Sequence, residues 1–136
     1  MDATVSAIDA QPLVAFSRQE PGWERIGRTI EEAVAGSRTL RLTAVNAGEV
    51  MYAVERQLGA LAGHRALVAV QAWTEVISVD LELAARVGWL KLRGGISYAD
   101  CFAAALAHRD RIPLITGDSE FRRVEDVIEI VWLSGA

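Results

Sequence analysis

The stretch from Ile96 to Phe121 limits the fold more than any other part of the chain. Ser97 is suited to cap a helix that runs through Ala99, Ala103, Ala104 and Ala107, small residues that permit close packing. That helix must stop before Pro113, because proline has no amide hydrogen and drives its predecessor out of the helical region. Pro113 to Thr116 then reads as a short buried strand ending in the turn Gly117-Asp118. A helix feeding a parallel strand runs antiparallel to it, so its first turn lies near the strand's carboxyl end. Asp100, at the third helical position, and Asp118 are therefore expected at one rim of a sheet, where open α/β folds place their ligands.

The same alternation runs through the whole sequence. Strands are expected at residues 4–8, 39–43, 75–79, 113–116 and 127–132, with helices at 10–19, 23–35, 46–58, up to Trp73, 81–93 and from Ser97 to a stop before Pro113, Asp110 being read as a loop acid. Asn46 is read as the N-cap of the third helix. Gly59 and Gly63 are read as its separation from the fourth, with His64 in that linker. This order predicts a three-layer α/β/α sandwich with a mainly parallel central sheet, a single domain over residues 1–136. No repeat, low-complexity segment or linker interrupts it.

Four acids occupy equivalent places in that scheme. Asp9 and Asp118 follow strands, whereas Glu49 and Asp100 stand one turn into helices. Each has an ordinary explanation as a cap, an Asx-turn residue or the acid of a capping box. Together they would crowd one pocket, where like charges raise one another's pKa and oppose folding unless a cation neutralises them. Oxygen ligands without histidine or cysteine suit Mg²⁺ or Mn²⁺ rather than Zn²⁺. Such an ion can lower the pKa of bound water and stabilise a leaving oxygen, which is the chemistry of phosphoryl hydrolysis.

Composition sets the outer limits. The chain has 136 residues, a net charge of −4, one lysine (Lys91) and one cysteine (Cys101). The acidic balance argues against broad phosphate-backbone binding, although local arginines suit bidentate phosphate contact. A lone cysteine excludes an intramolecular disulfide and fits a reducing cytoplasm. No signal peptide or membrane span is expected.

Three blocks carry a family resemblance: Leu42-Thr-Ala-Val-Asn-Ala-Gly-Glu-Val50, Ile96-Ser-Tyr-Ala-Asp-Cys-Phe-Ala-Ala-Ala105 and Leu114-Ile-Thr-Gly-Asp-Ser-Glu-Phe121, behind Ile8-Asp9-Ala10. They resemble the PIN-domain nucleases, most closely the VapC-type toxins of toxin–antitoxin pairs, over essentially the whole chain. The resemblance implies a Mg²⁺- or Mn²⁺-dependent endoribonuclease, the toxin of a type II pair. Asp9, Glu49, Asp100 and Asp118 would be catalytic, and Asp9, Asp100 and Asp118 metal ligands. It also implies a cognate antitoxin protein over the site, an RNA substrate, homodimerisation and a cytoplasmic location without a membrane.

Thr116 retains the hydroxyl expected before Gly117-Asp118. Gln11 departs from the family pattern, which has serine or threonine two residues after the first aspartate. That departure raises the alternative of a catalytically weak or inactive PIN-like domain serving as a protein- or RNA-binding module. Gln11 and Glu120 are auxiliary candidates, and Arg18, Arg93, Arg122 and Arg123 flank the expected rim as phosphate contacts. Two other phosphate chemistries fail on residue identity. An aspartyl-phosphate hydrolase needs a second aspartate where Gln11 stands, and a phospho-accepting signalling domain needs a lysine late in the sheet, whereas Lys91 falls in a mid-chain helix. A Cys101/His108 nucleophile pair is disfavoured because the two stand seven positions apart on one helix, sharing a face without touching.

Overall fold

The computed structural model describes residues 4–133, so the two ends of the expected 1–136 domain, residues 1–3 and 134–136, lie outside the described residues. Strand β1 (Thr4–Ile8) sits at the middle of one five-stranded sheet. It lies between β2 (Arg38–Thr43) and β4 (Leu114–Thr116), with β3 (Glu75–Ile77) and β5 (Ile130–Trp132) at the edges. All four strand pairings are parallel. The sheet is thus wholly parallel, and the expected α/β/α sandwich is borne out.

Side-chain alternation along the strands divides the core into two layers. Ile8, Leu40, Leu42 and Ile115 pack toward α1 (Ala10–Ser17), α2 (Trp23–Val34), α3 (Ala44–Leu58) and α4 (Ala60–Trp73). Ala7 and Leu114, one residue out of phase, pack on the opposite layer. That layer is built by α5 (Leu81–Lys91), α6 (Tyr98–Asp110) and a 3₁₀ helix at Ser119–Val124. Arg41, between Leu40 and Leu42, reaches the α6 side and pairs with Asp110 at 3.1 Å.

Helix α6 is buried over every residue from Asp100 to Ala107. Its alanines let the sheet and α5 approach closely, so the carboxylate in its first turn is carried on the most enclosed helix of the fold. No helix among the described residues is long and apolar enough to cross a membrane.

Three local readings of the sequence are corrected. Helix α3 begins at Ala44, and its cap is Thr43, whose hydroxyl accepts from the Asn46 amide at 3.1 Å. Asn46 therefore lies inside the helix, and Glu49 falls in its second turn. Asp110 is the last residue of α6 rather than a loop acid. Gly63 and His64 belong to α4 and not to a linker.

The reason for Gly63 is contact with α3, since a Cβ there would stand 2.6 Å from Glu55 Cβ and 3.1 Å from the Met51 carbonyl oxygen. Helix backbones that close leave no room for a methyl group. Because α3 carries Glu49, this contact also fixes one wall of the acidic rim. Gly63→Ala is expected to destabilise the protein by about 1–3 kcal/mol, read as a lowered thermal midpoint. An unchanged midpoint would show that α3 and α4 separate freely.

Candidate metal centre

The parallel register brings the acids together. Ile8 pairs with Ile115, so the next residues along, Asp9 and Thr116, stand side by side at the carboxyl rim. Thr116 Oγ1 donates to Asp9 Oδ2 at 3.1 Å and accepts from the Asp118 amide at 3.0 Å. One hydroxyl thus orders two carboxylates from strands that are far apart in sequence.

Asp9 occupies the N-cap position of α1, yet its side chain makes no cap hydrogen bond. The local sequence contributes to this. A capping aspartate bonds the amide of the second or third helical residue, and Pro12 removes the third, leaving only that of Gln11. Asp9 is 1% exposed, and its Oδ1 is buried without a hydrogen-bond partner among the described residues. The Ala10 and Gln11 amides temper its charge electrostatically without reaching hydrogen-bond geometry.

Asp100 escapes its ordinary role in another way. Ser97 caps α6 by accepting from the Asp100 amide at 3.1 Å. In a capping box the Asp100 carboxylate would return the bond to the Ser97 amide, but that amide donates to Glu120 Oε2 at 3.4 Å. The Asp100 carboxyl is left to face the cleft and Glu120.

Glu49 is held by Asn46. The Asn46 side chain accepts from the Thr43 hydroxyl at 2.6 Å, and its Nδ2 donates to Glu49 Oε1 at 3.2 Å and to the Ala99 carbonyl at 3.1 Å. Asn46 is fully buried and ties α3 to the residue preceding Asp100. Read from sequence as a cap, it is a cross-link between two of the acids.

Asp9, Glu49 and Asp100 each present an oxygen within 4.8 Å of the others, and Asp100, Asp118 and Glu120 form a second such group. The triad expected as ligands, Asp9, Asp100 and Asp118, is thereby divided: Glu49 joins the tighter burial of Asp9, and Asp118 stands with Glu120. Asp118 also caps the 3₁₀ helix, its Oδ1 accepting from the Glu120 amide at 2.9 Å. The cleft between these groups has a volume of about 210 Å³ and is lined also by Gln11, Arg18, Glu20 and Tyr52.

Tyr52 and Glu20 were not singled out from the sequence. Tyr52 lies three residues after Glu49, which on a helix places it on the same face. Arg18 donates to the Ala53 carbonyl at 2.7 Å and stands in the cleft wall. Arg93 and Arg122 are not part of that wall. Arg93 is bound to Asp126 at 2.6 Å, and Arg122 stacks 5.0 Å above Trp132. Arg123 packs against Gly95.

The electrostatics follow from burial and crowding. Burial, with the charge of Glu49, pushes the Asp9 carboxyl from its ordinary 3.8 up to about 7. Burial raises Asp100 to about 8, reinforced by the charge of Asp9, the neighbouring Glu120 carboxyl and the charges of Asp118 and Glu49. Glu49 is raised by burial too, against the pull of Asn46. An orphaned buried carboxylate oxygen, next to acids that resist ionisation, is the environment a hard divalent cation relieves. The residues fit such an ion.

A wholly parallel α/β domain with an acidic pocket at its carboxyl rim defines a class of proteins that position carboxylates by topology. The PIN domain model matches residues 7–127, and the chain belongs to that family. Its fold is shared with VapBC2 from Rickettsia felis bound to a DNA fragment from their promoter (TM-score 0.76, 15% identity, 94% of this chain and 98% of that one). It is shared also with DNA-bound VapBC from Salmonella typhimurium (TM-score 0.72, 17% identity, 96% and 98%). A third is VapC20 of Mycobacterium tuberculosis, a sarcin-ricin loop cleaving toxin (TM-score 0.65, 15% identity, 82% and 87%). No curated protein sequence matches the chain.

The raised carboxyls carry a pH signature. Between pH 4 and 7 the folded protein keeps a proton on Asp9 that the unfolded chain, at its ordinary 3.8, releases. Stability therefore falls as pH rises through this window. In chelator, Asp9→Asn is expected to be more stable than the wild type at pH 8, by about 2 kcal/mol, with the gap closing near pH 4. Denaturant titrations at the two pH values test this, and an Asn variant equal to the wild type at both would contradict it.

Proposed function

We propose that the protein is a Mg²⁺- or Mn²⁺-dependent endoribonuclease and the toxin of a type II toxin–antitoxin pair, held inactive in the cytoplasm by a cognate antitoxin. The observation that carries this reading is the free Oδ1 of Asp9, buried beside Glu49 and Asp100 where a capping role would have consumed it. Membership of the PIN domain family and the shared fold with VapBC complexes support it.

Asp9, Glu49 and Asp100 would hold the cation, and Asp100, Asp118 and Glu120 offer an adjoining position. When bound, the ion supplies an acidified water and charge neutralisation at the phosphate. The remaining work belongs to the chain's own groups. Thr116 Oγ1 keeps Asp9 and Asp118 in register, and Asn46 keeps Glu49 turned toward the cleft. Glu120 stands beside Asp100 and holds the Ser97 amide, which leaves the Asp100 carboxyl directed at the cleft. Arg18, anchored on the Ala53 carbonyl, presents a cation to an incoming phosphate.

Apolar surface remains for protein partners. Leu81, Trp89 and Leu92 on and just after α5 are 85%, 45% and 87% exposed, which supports contact with an antitoxin or a second copy in a homodimer.

One contact favours the alternative of an inert PIN-like binding module: Asp118 Oδ1 is engaged as a cap by the Glu120 amide. Cleavage of single-stranded RNA in Mg²⁺ separates the two readings. Asp9→Asn and Asp100→Asn are each expected to slow cleavage on the order of 100-fold or more while leaving the circular dichroism spectrum unchanged. Wild-type cleavage rates in both variants, or none in the wild type, would favour the inert module.

A further inference from the structure

Gln11 brings a neutral carboxamide to a cleft that holds five carboxylates, and its side chain reaches from α1 to the turn after β4. Its Oε1 accepts from the Gly117 amide at 3.1 Å, joining the first turn of α1 to the turn that carries Asp118. A backbone N–H can only donate, so this bond assigns the oxygen to Gly117 and leaves Nε2 pointing elsewhere. Nε2 has no hydrogen-bond partner among the described residues.

The contact has the marks of a built one. A Cβ at Gly117 would stand 3.0 Å from Gln11 Oε1, so the carboxamide lies close over the glycine. Pro12 follows Gln11 in the first turn of α1, where a missing amide costs no helical bond and the ring stiffens the base of the side chain. On the other side of the turn the Asp118 amide is held by Thr116 Oγ1 at 3.0 Å. The two amides flanking Asp118's placement are thus both satisfied by side chains, one from β4 and one from α1. Loss of either would loosen the turn, leaving the Asp118 carboxylate held only by the Glu120 amide.

Fixing a glutamine side chain at a surface costs rotamer entropy, which one hydrogen bond from an exposed amide barely offsets. A second partner at Nε2 would make the fixed rotamer worthwhile. The group arriving at this cleft, on the ribonuclease reading above, is a phosphodiester, whose unesterified oxygens accept hydrogen bonds. We propose that Gln11 is a positioning residue with two ends: Oε1 holds the Gly117–Asp118 turn in place, and Nε2 donates to a phosphate oxygen of single-stranded RNA. The contact is neutral, so it adds an anchor for the phosphate without competing for the cation.

Two variants separate the ends. Gln11→Ala removes both, whereas Gln11→Glu keeps an acceptor for Gly117 and removes the donor. Three measurements are made on each: exchange of the Gly117 amide by NMR without metal, Mn²⁺ affinity by calorimetry, and kcat and KM on single-stranded RNA. For Gln11→Ala, Gly117 exchange is expected to quicken and Mn²⁺ binding to weaken, each by about tenfold. For Gln11→Glu, Gly117 protection is expected to persist and Mn²⁺ affinity to hold or rise, while KM rises more than kcat falls even at an ionic strength that screens the added charge. Wild-type Gly117 exchange in Gln11→Ala would overturn the clamp, and a wild-type KM in Gln11→Glu would overturn the phosphate contact. A wild type that neither binds Mn²⁺ nor cuts RNA would instead sink the ribonuclease reading, and Gly117 exchange would still decide the clamp.

Discussion

All five strands of the sheet run in one direction, and most of what is distinctive about this molecule follows from that constraint. Parallel strands deliver their carboxyl ends, and the amino ends of the helices that follow or precede them, to a single rim. Asp9 after β1, Glu49 in α3, Asp100 in α6 and Asp118 after β4 are distant in the chain and share nothing locally, yet they border one cleft. The price is electrostatic: burial pushes Asp9 and Asp100 up to about 7 and about 8. A fold stabilised only by its two apolar layers would gain from replacing them.

What keeps these acids in place is a set of arrangements that deny them the usual helix-end contacts. Pro12 removes one of the two amides that Asp9 could cap. Glu120 takes the Ser97 amide that Asp100 would otherwise bind, and the cap of α3 is supplied by Thr43, leaving Asn46 to hold Glu49. Only Asp118 retains a conventional cap. Each substitute is a short polar contact of modest worth alone. Their joint effect is that three carboxylates stay available at the rim instead of being spent on backbone amides.

The large features could be read from the residues because they rest on long-range rules of patterning. The apolar run Leu114 to Thr116 after a proline, and the alternation of strands with helices, are enough to require a parallel sheet, and the sheet direction alone places the rim. Details that depend on packing between elements were not readable in this way. Asn46 has the composition of a cap, and nothing in its neighbours tells that Thr43, one turn earlier, already fills that role. Gly63 looks like a break until α3 is seen to press against it at a distance a Cβ would violate. Arg93 and Arg122 lie near the rim in sequence, but their guanidinium groups are drawn to Asp126 and to the Trp132 ring. The same limit applies to the ligand grouping, where Glu49 rather than Asp118 stands with Asp9, since carboxylate neighbours a few ångströms apart are set by side-chain contacts and not by order along the chain.

The central claim is that the unpartnered Asp9 oxygen and its neighbours form a seat for a divalent cation. Anomalous diffraction from crystals grown with Mn²⁺ tests it most directly. The structure predicts a peak between Asp9, Glu49 and Asp100, at about 2.0–2.3 Å from Asp9 Oδ1, the span expected for a small hard cation on oxygen. Crystals that show no peak there at saturating Mn²⁺, with Asp9 Oδ1 turned instead to a backbone amide, would contradict it.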